Sequence, residues 1–177
     1  SIGIGMPGAI SPHSGLIKNA NTVVLNGKNL PRDLGALLGR QIFVANDANC
    51  LALSEAVDGA GRGLSSVFAV IIGTGTGGGL VVNGRPLIGN KAIAGEWGNN
   101  PLPWAEDKDL AARCYCGKVG CIETYLCGAG LSRLYAELGG ENISAEQIGE
   151  RWTCGEAIAA QVIGRYAQRL GRALSSV

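Results

Sequence analysis

The order of apolar and polar residues along the chain predicts that strands dominate before residue 88 and helices after residue 122. Short apolar runs rich in β-branched residues predict strands over residues 1–6, 41–45, 64–72 and 80–82. Apolar residues at helical spacing predict helices over residues 29–38, 46–56, 122–126, 128–138, 144–152 and 157–175. Residues 22–25 are predicted as a short extended piece. The pattern therefore indicates a mixed α and β fold.

Several helix ends carry their own sequence signals. Asn29 is an expected N-cap, with Pro31 in the first turn, and Gly39 is expected to end the same helix. Ser144, followed three residues later by Gln147, is the pattern of a capping box. These signals set the predicted bounds of two helices independently of the apolar pattern.

Composition supports a globular protein and excludes several functions. With 46% hydrophobic and 16% charged residues, the 177-residue chain can bury a sizeable core as one domain or as parts of two. The formal net charge is +1 and the basic residues form no cluster, so no surface for nucleic acid or for an anionic membrane is expected. The first residues alternate as if the chain began inside a strand, which suggests a segment of a longer protein.

Six cysteines offer either disulfides or free thiols. They stand at positions 50, 114, 116, 121, 127 and 154. Their spacing is not that of a disulfide framework, and a chain of this length can build a core without covalent staples. We therefore expect reduced thiols in a cytoplasmic protein.

The motif Asn46-Asp47-Ala48-Asn49 lies where a predicted strand passes into a predicted helix. A strand end aims side chains rigidly, and a helix N-terminus favours negative charge. Asp47 could accept a hydroxyl proton, while Asn46 could donate to and accept from the vicinal hydroxyls of a polyol. Capping of the helix is the simpler explanation of the motif taken alone.

A second motif, Gly73-Thr74-Gly75-Thr76-Gly77-Gly78-Gly79, is expected to form a turn between two strands. It lacks the Lys-Ser/Thr ending of a Walker A loop, and a strand rather than a helix follows it, so it is not a dinucleotide fingerprint either. The backbone N–H groups of such a turn can still bind a phosphate. A plain glycine hairpin remains the alternative.

Three of the cysteines, Cys114, Cys116 and Cys121, lie within eight residues. Three thiolates this close can surround one ion, and zinc is the metal that favours tetrahedral thiolate sites. A fourth ligand would be needed. A disulfide or free thiols remain the alternatives.

These motifs, in this order and spacing, resemble those of the ROK family of repressors, open reading frames and kinases. The resemblance rests on Gly5-Met6-Pro7-Gly8, Asn46-Asp47-Ala48-Asn49, the glycine turn, Gly95-Glu96-x-Gly98 and Cys114-x-Cys116-Gly117-x-x-Gly120-Cys121-x-Glu123. It extends from residue 1 to about residue 130. The run from Glu96 to Trp104 is most similar to the fructokinase, mannokinase and N-acetylglucosamine kinase members.

The resemblance implies an α/β fold of actin-like, hexokinase-type (ribonuclease H-like) lobes, with a mixed sheet and flanking helices. Residues 1–62 would form the C-terminal part of the first lobe, and residues 63–177 the second lobe. The implied reaction is transfer of a phosphoryl group from ATP to the 6-hydroxyl of a hexose, with Mg²⁺ on the nucleotide phosphates. If the missing parts of the family pattern are truly absent, the lobe faces left exposed favour a homodimer or a swapped partner.

The resemblance also assigns roles to individual residues. Asp47 matches the catalytic base, and Asn46, Glu96 and Glu123 match ligands of sugar hydroxyls. The residues that match the second phosphate loop are Gly73, Thr74, Gly75, Thr76 and Gly77. The residues that match zinc ligands are Cys114, Cys116 and Cys121.

One position departs from the family pattern. Asn99 stands where the family carries a histidine that is the fourth zinc ligand and a neighbour of the sugar. An amide is a poor zinc ligand, so three outcomes stay open: an empty site, a weakly held ion, or a fourth ligand from water, Asp107 or Asp109. Asn99 is still expected to hydrogen-bond a sugar hydroxyl.

Two parts of the family pattern have no counterpart in the chain. They are the first phosphate motif, Asp-x-Gly-Gly-Thr, and the glycine-rich adenosine segment. We therefore expect the polypeptide alone to have little or no kinase activity. Two alternative functions stay open: a sugar-sensing module like that of ROK repressors, and a non-catalytic relic.

Overall fold

The computed structural model describes residues 1–107, 109 and 112–177 and shows the predicted α/β fold. The strands are β1 (Ile2–Met6), β2 (Ala9–Ile10), β3 (Ile17–Lys18), β4 (Ile42–Asn46), β5 (Ser66–Ile72), β6 (Thr76–Val82) and β7 (Arg85–Pro86). The α-helices are α1 (Leu30–Leu38), α2 (Asp47–Val57), α3 (Glu123–Leu126), α4 (Gly128–Glu137), α5 (Ala145–Thr153) and α6 (Ala157–Leu174). Short 3₁₀ helices span Val23–Leu25 and Trp97–Asn99. Within the described part of the chain, no helix is both long enough and apolar enough to cross a membrane.

The strands form three small sheets. β1 and β4 pair in parallel, with Ile2 opposite Ile42 and Met6 opposite Asn46. β2 and β3 form an antiparallel pair, and β5, β6 and β7 form a three-stranded sheet in that order. The parallel register places Asn46 at the same sheet end as Met6, which leads into the turn at Gly8.

The chain divides into two compact units. The first contains residues Ser1–Val70 and Gly78–Glu96, and the second contains Ile71–Gly77 and Trp97–Val177. Two apolar clusters of the first unit are seen among the described residues: Met6, Ile17 and Ala20 form one, and Ala52, Ala69 and Val81 form the other. Both clusters lie beside α2 or the β1–β4 pair. Packed apolar side chains therefore support the strand-to-helix junction at residues 46 and 47.

The second unit is built mainly from helices α4, α5 and α6. Their shared core consists of Leu131, Leu134, Tyr135, Ile148, Ala159 and Val162. Ser144 and Gln147 form the predicted capping box at the start of α5. Asn29 likewise caps α1 as predicted, and Gly39 ends it in the left-handed conformation.

A buried ion pair joins α6 to the segment before the cysteines. Arg169 donates from Nε and Nη2 to Asp109 Oδ1, at 3.1 and 2.7 Å, and neither side chain is more than 6% exposed. The Arg169 guanidinium also lies 4.6 Å from the centre of the Tyr125 ring. These contacts fix α6 in the second unit.

Two sequence expectations about backbone conformation were wrong. Residues 22–25 are not extended, because the Asn26 side chain pairs with both backbone groups of Ala20 and holds the segment in a turn. The glycine turn is also shorter than expected, since β6 already begins at Thr76.

Close packing explains why β6 contains glycines. A methyl group on Gly79 would lie 2.3 Å from the backbone oxygen of Ala48, and one on Gly78 would lie 2.6 Å from the Phe68 ring. Glycine is therefore required for α2 to approach the strand closely. A composition rule that treats glycine as a turn former misses this use.

Candidate functional site

The junction between β4 and α2 presents the proposed catalytic carboxylate. Asn46 accepts a hydrogen bond at Oδ1 from the backbone of Asn49, at 3.1 Å, and donates from Nδ2 to the Gly8 carbonyl oxygen, at 3.0 Å. Asp47 is the first residue of α2 and is exposed, and its Oδ1 accepts from the Ala48 N–H at 2.9 Å. Asn46 thus caps the helix and ties it to the turn after β1, while the Asp47 carboxylate faces solvent.

A small cavity lies beside Asn46 in the first unit. It has a volume of about 160 Å³, and its lining includes Asn46, Asn49, Cys50 and Ile88. The Oδ1 atom of Asn49 is buried and has no hydrogen-bond partner among the described residues. The cavity therefore has a largely apolar wall, with Asn46 and Asn49 among its polar lining residues.

Glu96, the other predicted sugar ligand of the first unit, is exposed. It follows Gly95, whose φ is +88° and whose added methyl group would lie 2.6 Å from the Gly78 carbonyl oxygen. Only glycine fits this contact with β6. The backbone that carries Glu96 is thus packed directly on the strand.

In the second unit, the predicted phosphate-binding residues fall into two groups. Gly73, Thr74 and Gly75 form the turn, whereas Thr76 and Gly77 belong to β6. The Gly73 carbonyl accepts the Gly128 N–H at 2.9 Å, which joins the turn to the first residue of α4. Thr74 is exposed and Thr76 is buried. The Thr76 hydroxyl has no hydrogen-bond partner within the described residues.

Glu123 and Asn99 form a compact hydrogen-bonded group with Cys114. Asn99 Nδ2 donates to Glu123 Oε1 at 3.0 Å and to Cys114 Sγ at 3.4 Å, and the Cys114 thiol donates to the same Oε1 at 2.9 Å. The Tyr115 hydroxyl donates to Asn99 Oδ1 at 3.4 Å. One oxygen of Glu123 is therefore held by two donors, and no described residue hydrogen-bonds the other.

The free oxygen of Glu123 lies against the glycine turn. A methyl group added to Gly75 would stand 3.3 Å from Glu123 Oε2. The neighbouring Gly98 is tighter still, since its added methyl group would lie 1.9 Å from the Thr76 carbonyl oxygen. The second unit thus places a predicted sugar ligand directly beside the predicted phosphate turn.

The three clustered cysteines have the geometry of a metal site. Their Sγ atoms all lie within 4.8 Å of one another, and the Cys116 and Cys121 sulfurs are 3.7 Å apart. Tetrahedral zinc with Zn–S bonds of about 2.3 Å separates its sulfurs by about 3.8 Å, so the thiols fit such an ion. Cys114 and Cys121 are buried, and Cys116 is exposed. All six cysteines of the chain are free thiols.

The two aspartates considered as fourth ligands do not join this cluster in the described part of the chain. Asp109 is wholly buried and accepts hydrogen bonds from Arg169, Arg172 and the Glu106 N–H. Burial alone would raise the pKa of Asp109, but these hydrogen bonds and charges hold it below its usual value. The expectation that Asp109 can serve the metal is therefore wrong, because its carboxylate is occupied elsewhere.

The surroundings of the three thiols shift their pKa values in different directions. Burial, together with the hydrogen bond to Glu123, raises the pKa of Cys114 to about 12. Burial also raises the pKa of Cys121. The Lys118 backbone N–H lowers the pKa of Cys116. Without a metal, Cys114 is therefore protonated at neutral pH and can donate to Glu123.

Sequence reasoning missed one member of this group. Tyr115 is 84% exposed, yet its hydroxyl contacts Asn99. Its position between two cysteines was the available signal, but a turn residue with that exposure carries no apolar pattern. The other predicted residues fall by unit: Asn46, Asp47 and Glu96 lie in the first, and Asn99, Glu123, the turn and the cysteines in the second.

Comparison with known proteins decides the family. The profile of the ROK family matches residues 1–177. The chain belongs to the ROK family. It is 40% identical over 183 residues to an N-acetyl-D-glucosamine kinase of Pectobacterium atrosepticum, an alignment that covers all of this chain and 60% of that relative. The chain thus spans about 60% of the length of the curated relatives it matches.

Solved ROK structures share the fold. A ROK hexokinase from Thermus thermophilus has a TM-score of 0.84 and 30% identity, over 99% of this chain and 57% of that one. A ROK transcriptional regulator described as a homologue of the E. coli MLC protein has a TM-score of 0.81 and 28% identity, over 98% of this chain and 45% of that one. The α/β architecture is therefore of the actin-like, hexokinase type, as the motifs implied.

Proposed function

We propose that the chain forms the sugar-binding part of a ROK kinase, which transfers a phosphoryl group from ATP to the 6-hydroxyl of a hexose. Family membership over the whole chain and relatives named as sugar kinases support this proposal. The observation that carries it is the Asp47 carboxylate, which is exposed at the junction where β4 ends and α2 begins. A sensor or a relic needs no base at this position.

Each residue has a role in this reaction. Asp47 accepts the proton of the 6-hydroxyl as that oxygen attacks phosphorus. Asn46 is already fixed through Gly8, so it orients a sugar hydroxyl with little further loss of freedom. Glu96 and Glu123 accept hydrogen bonds from the remaining hydroxyls, and Asn99 holds Glu123 in place and is a further hydroxyl partner.

The turn from Gly73 to Gly77 supplies backbone N–H groups to the phosphate chain of ATP. Mg²⁺ on the phosphates would neutralise the charge that develops during transfer. The turn and this sugar ligand are close neighbours, because a methyl group on Gly75 would stand 3.3 Å from Glu123 Oε2. Zinc at Cys114, Cys116 and Cys121 would tie together the segment that leads into Glu123.

We propose an N-acetylhexosamine as the hexose, in preference to fructose. The curated relatives at 39–40% identity are named N-acetyl-D-glucosamine kinases. Residues 1–62 would contribute to the first lobe and residues 63–177 to the second. A cytoplasmic homodimer with reduced cysteines is the proposed form, and the free state of all six thiols is consistent with it.

The decisive test is Asp47→Asn in the full product of the gene. We expect turnover with ATP and N-acetylglucosamine to fall by at least about 10²-fold, since general-base catalysis contributes about 10²–10⁴. Sugar affinity measured by calorimetry should change less than about threefold, since the amide keeps the shape of the carboxylate. Unchanged turnover would remove Asp47 as the base.

A sugar-sensing function is the second candidate, because the ROK regulator fits the chain nearly as well as the hexokinase does. The same variant separates the two. A sensor binds sugar without ATP turnover in either form of the protein, whereas a kinase loses turnover only in the variant. A relic binds neither sugar nor an ATP analogue.

A further inference from the structure

The thiol cluster supplies three ligands and leaves a fourth direction without one. Among the residues that the structure describes, only Cys114, Cys116 and Cys121 converge on one point. Tetrahedral metal sites that serve purely structural roles are closed by four protein ligands, while sites with three keep an exchangeable position. The Cys116 and Cys121 sulfurs, 3.7 Å apart, have the spacing of two corners of such a tetrahedron, and the Cys114 sulfur lies within 4.8 Å of both.

The Asn99 side chain contacts the cluster through Cys114, and its polar atoms are already hydrogen-bonded. Nδ2 faces both Cys114 Sγ and Glu123 Oε1, and Oδ1 accepts from Tyr115. Turning the amide to aim its oxygen at the metal would remove the donor from Glu123 and face two oxygens at each other. The amide therefore acts as a hydrogen-bond bridge between Cys114 and Glu123.

We infer that a metal bound by these three thiolates keeps an open fourth position, which a small nitrogen donor from outside the chain can occupy. The exposed side of the cluster at Cys116 gives a small molecule access. Imidazole is the matching probe, because its nitrogen is a good ligand for zinc-like ions.

A metal ion at the cluster would also change the hydrogen bonds of Glu123. When Cys114 is a metal-bound thiolate it has no proton to donate, so the 2.9 Å hydrogen bond to Glu123 Oε1 is lost. Asn99 then remains as the donor to that oxygen.

Cobalt substitution tests the inference without relying on activity. The reduced protein is titrated with Co²⁺, and the thiolate-to-cobalt charge-transfer band reports the number of sulfur ligands. Imidazole is then added while the d–d bands are followed. We expect one Co²⁺ per chain with three thiolates, and a d–d spectrum that shifts and saturates with imidazole.

Matched variants locate the open position. Cys116→Ser should lower the charge-transfer intensity by about one third, whereas Cys154→Ser, at an exposed cysteine outside the cluster, should leave it unchanged. Asn99→His should bind Co²⁺ and no longer respond to imidazole. Failure of the wild-type protein to bind Co²⁺ overturns the inference, as does bound Co²⁺ that ignores imidazole. In the latter case a response gained in Asn99→Ala identifies the amide as the fourth ligand.

Discussion

Gly75 is the residue at which the proposed phosphate turn meets the proposed sugar carboxylate. Its added methyl group would lie 3.3 Å from Glu123 Oε2, while one on Gly77, two residues along, would meet open space. The two glycines therefore offer a matched pair in one segment. A change at the first moves a sugar ligand, and a change at the second does not.

We predict that Gly75→Ala weakens sugar binding by about fivefold, because overpacking that displaces a side chain costs about 1 kcal/mol or more. Gly77→Ala should leave the sugar Kd within about twofold, which is within the usual range of a change that touches nothing. Calorimetry with N-acetylglucosamine and no nucleotide measures both. Equal effects of the two variants would show that the Glu123 contact is irrelevant to the sugar.

Gly98 leaves less room for a side chain than Gly75 does. Alanine there would place a methyl group 1.9 Å from the Thr76 carbonyl oxygen, a backbone atom that cannot move aside alone. We predict that Gly98→Ala lowers the free energy of unfolding by about 3 kcal/mol. The control Gly164→Ala, in an open position of α6, should raise it by about 0.5–1 kcal/mol. Urea unfolding measures the free energy of unfolding of both variants, and similar values for the two would refute the steric argument.

The chemistry of individual side chains can be predicted from the sequence more readily than the contacts that those side chains make after folding. The sequence placed Asn46 and Asp47 at a strand-to-helix junction, and the structure confirms that position, while their roles in catalysis stay predictions. The reasons for Gly75 and Gly98 could not be predicted, because each depends on an atom brought near only by folding. Glu123 was assigned by resemblance, but its donors, Asn99 and Cys114, became evident only from the distances.

At the scale of elements, helix α6 is held in place by the buried carboxylate of Asp109. Asp109 accepts from Arg169 and Arg172, and the folded state holds the pKa of its carboxyl below the unfolded value of 3.8. A carboxyl whose pKa is depressed by folding stabilises the protein above its unfolded pKa. That contribution disappears as the pH falls through the folded pKa.

We therefore predict that Asp109→Asn lowers the free energy of unfolding at pH 7 by about 3 kcal/mol, since it leaves a buried arginine without its counter-charge. The difference from the wild type should shrink as the pH falls below about 4. Asp33→Asn is the matched control. It breaks an exposed pair with Arg32 and should cost less than about 1 kcal/mol. Urea titrations across pH 2.5–7 (~0.5-unit steps) give the comparison, and a pH-independent difference would contradict the assignment.

Elements with local signals were predicted well. Helices α1 and α5 follow their caps, because Asn29 and Ser144 bond to backbone groups three residues away. The ion pair of Asp109 with Arg169 spans 60 residues and left no trace in the apolar pattern. Strand β6 was drawn too short, since its glycines serve the approach of α2 rather than a turn.

At the scale of the whole molecule, we predict that the 177-residue chain alone shows little or no kinase turnover. It spans about 60% of the length of its curated relatives, and the resemblance to the family implies that the first phosphate motif and the adenosine segment lie outside these 177 residues. A coupled assay of ADP release with glucose, mannose, fructose and N-acetylglucosamine measures this. Ordinary turnover with any of the four sugars would show that the chain carries a complete nucleotide site.

The grouping of α4, α5 and α6 around one core has a consequence for how the protein acquires its structure. These helices are consecutive, and their contacts join residues close along the chain. The pairing of β1 with β4 instead joins residues 40 positions apart. Because local contacts form with less loss of chain entropy, the helical group is expected to fold first and the parallel pair later. The proposed catalytic junction at Asp47, which depends on that pair, would then be among the last features to form.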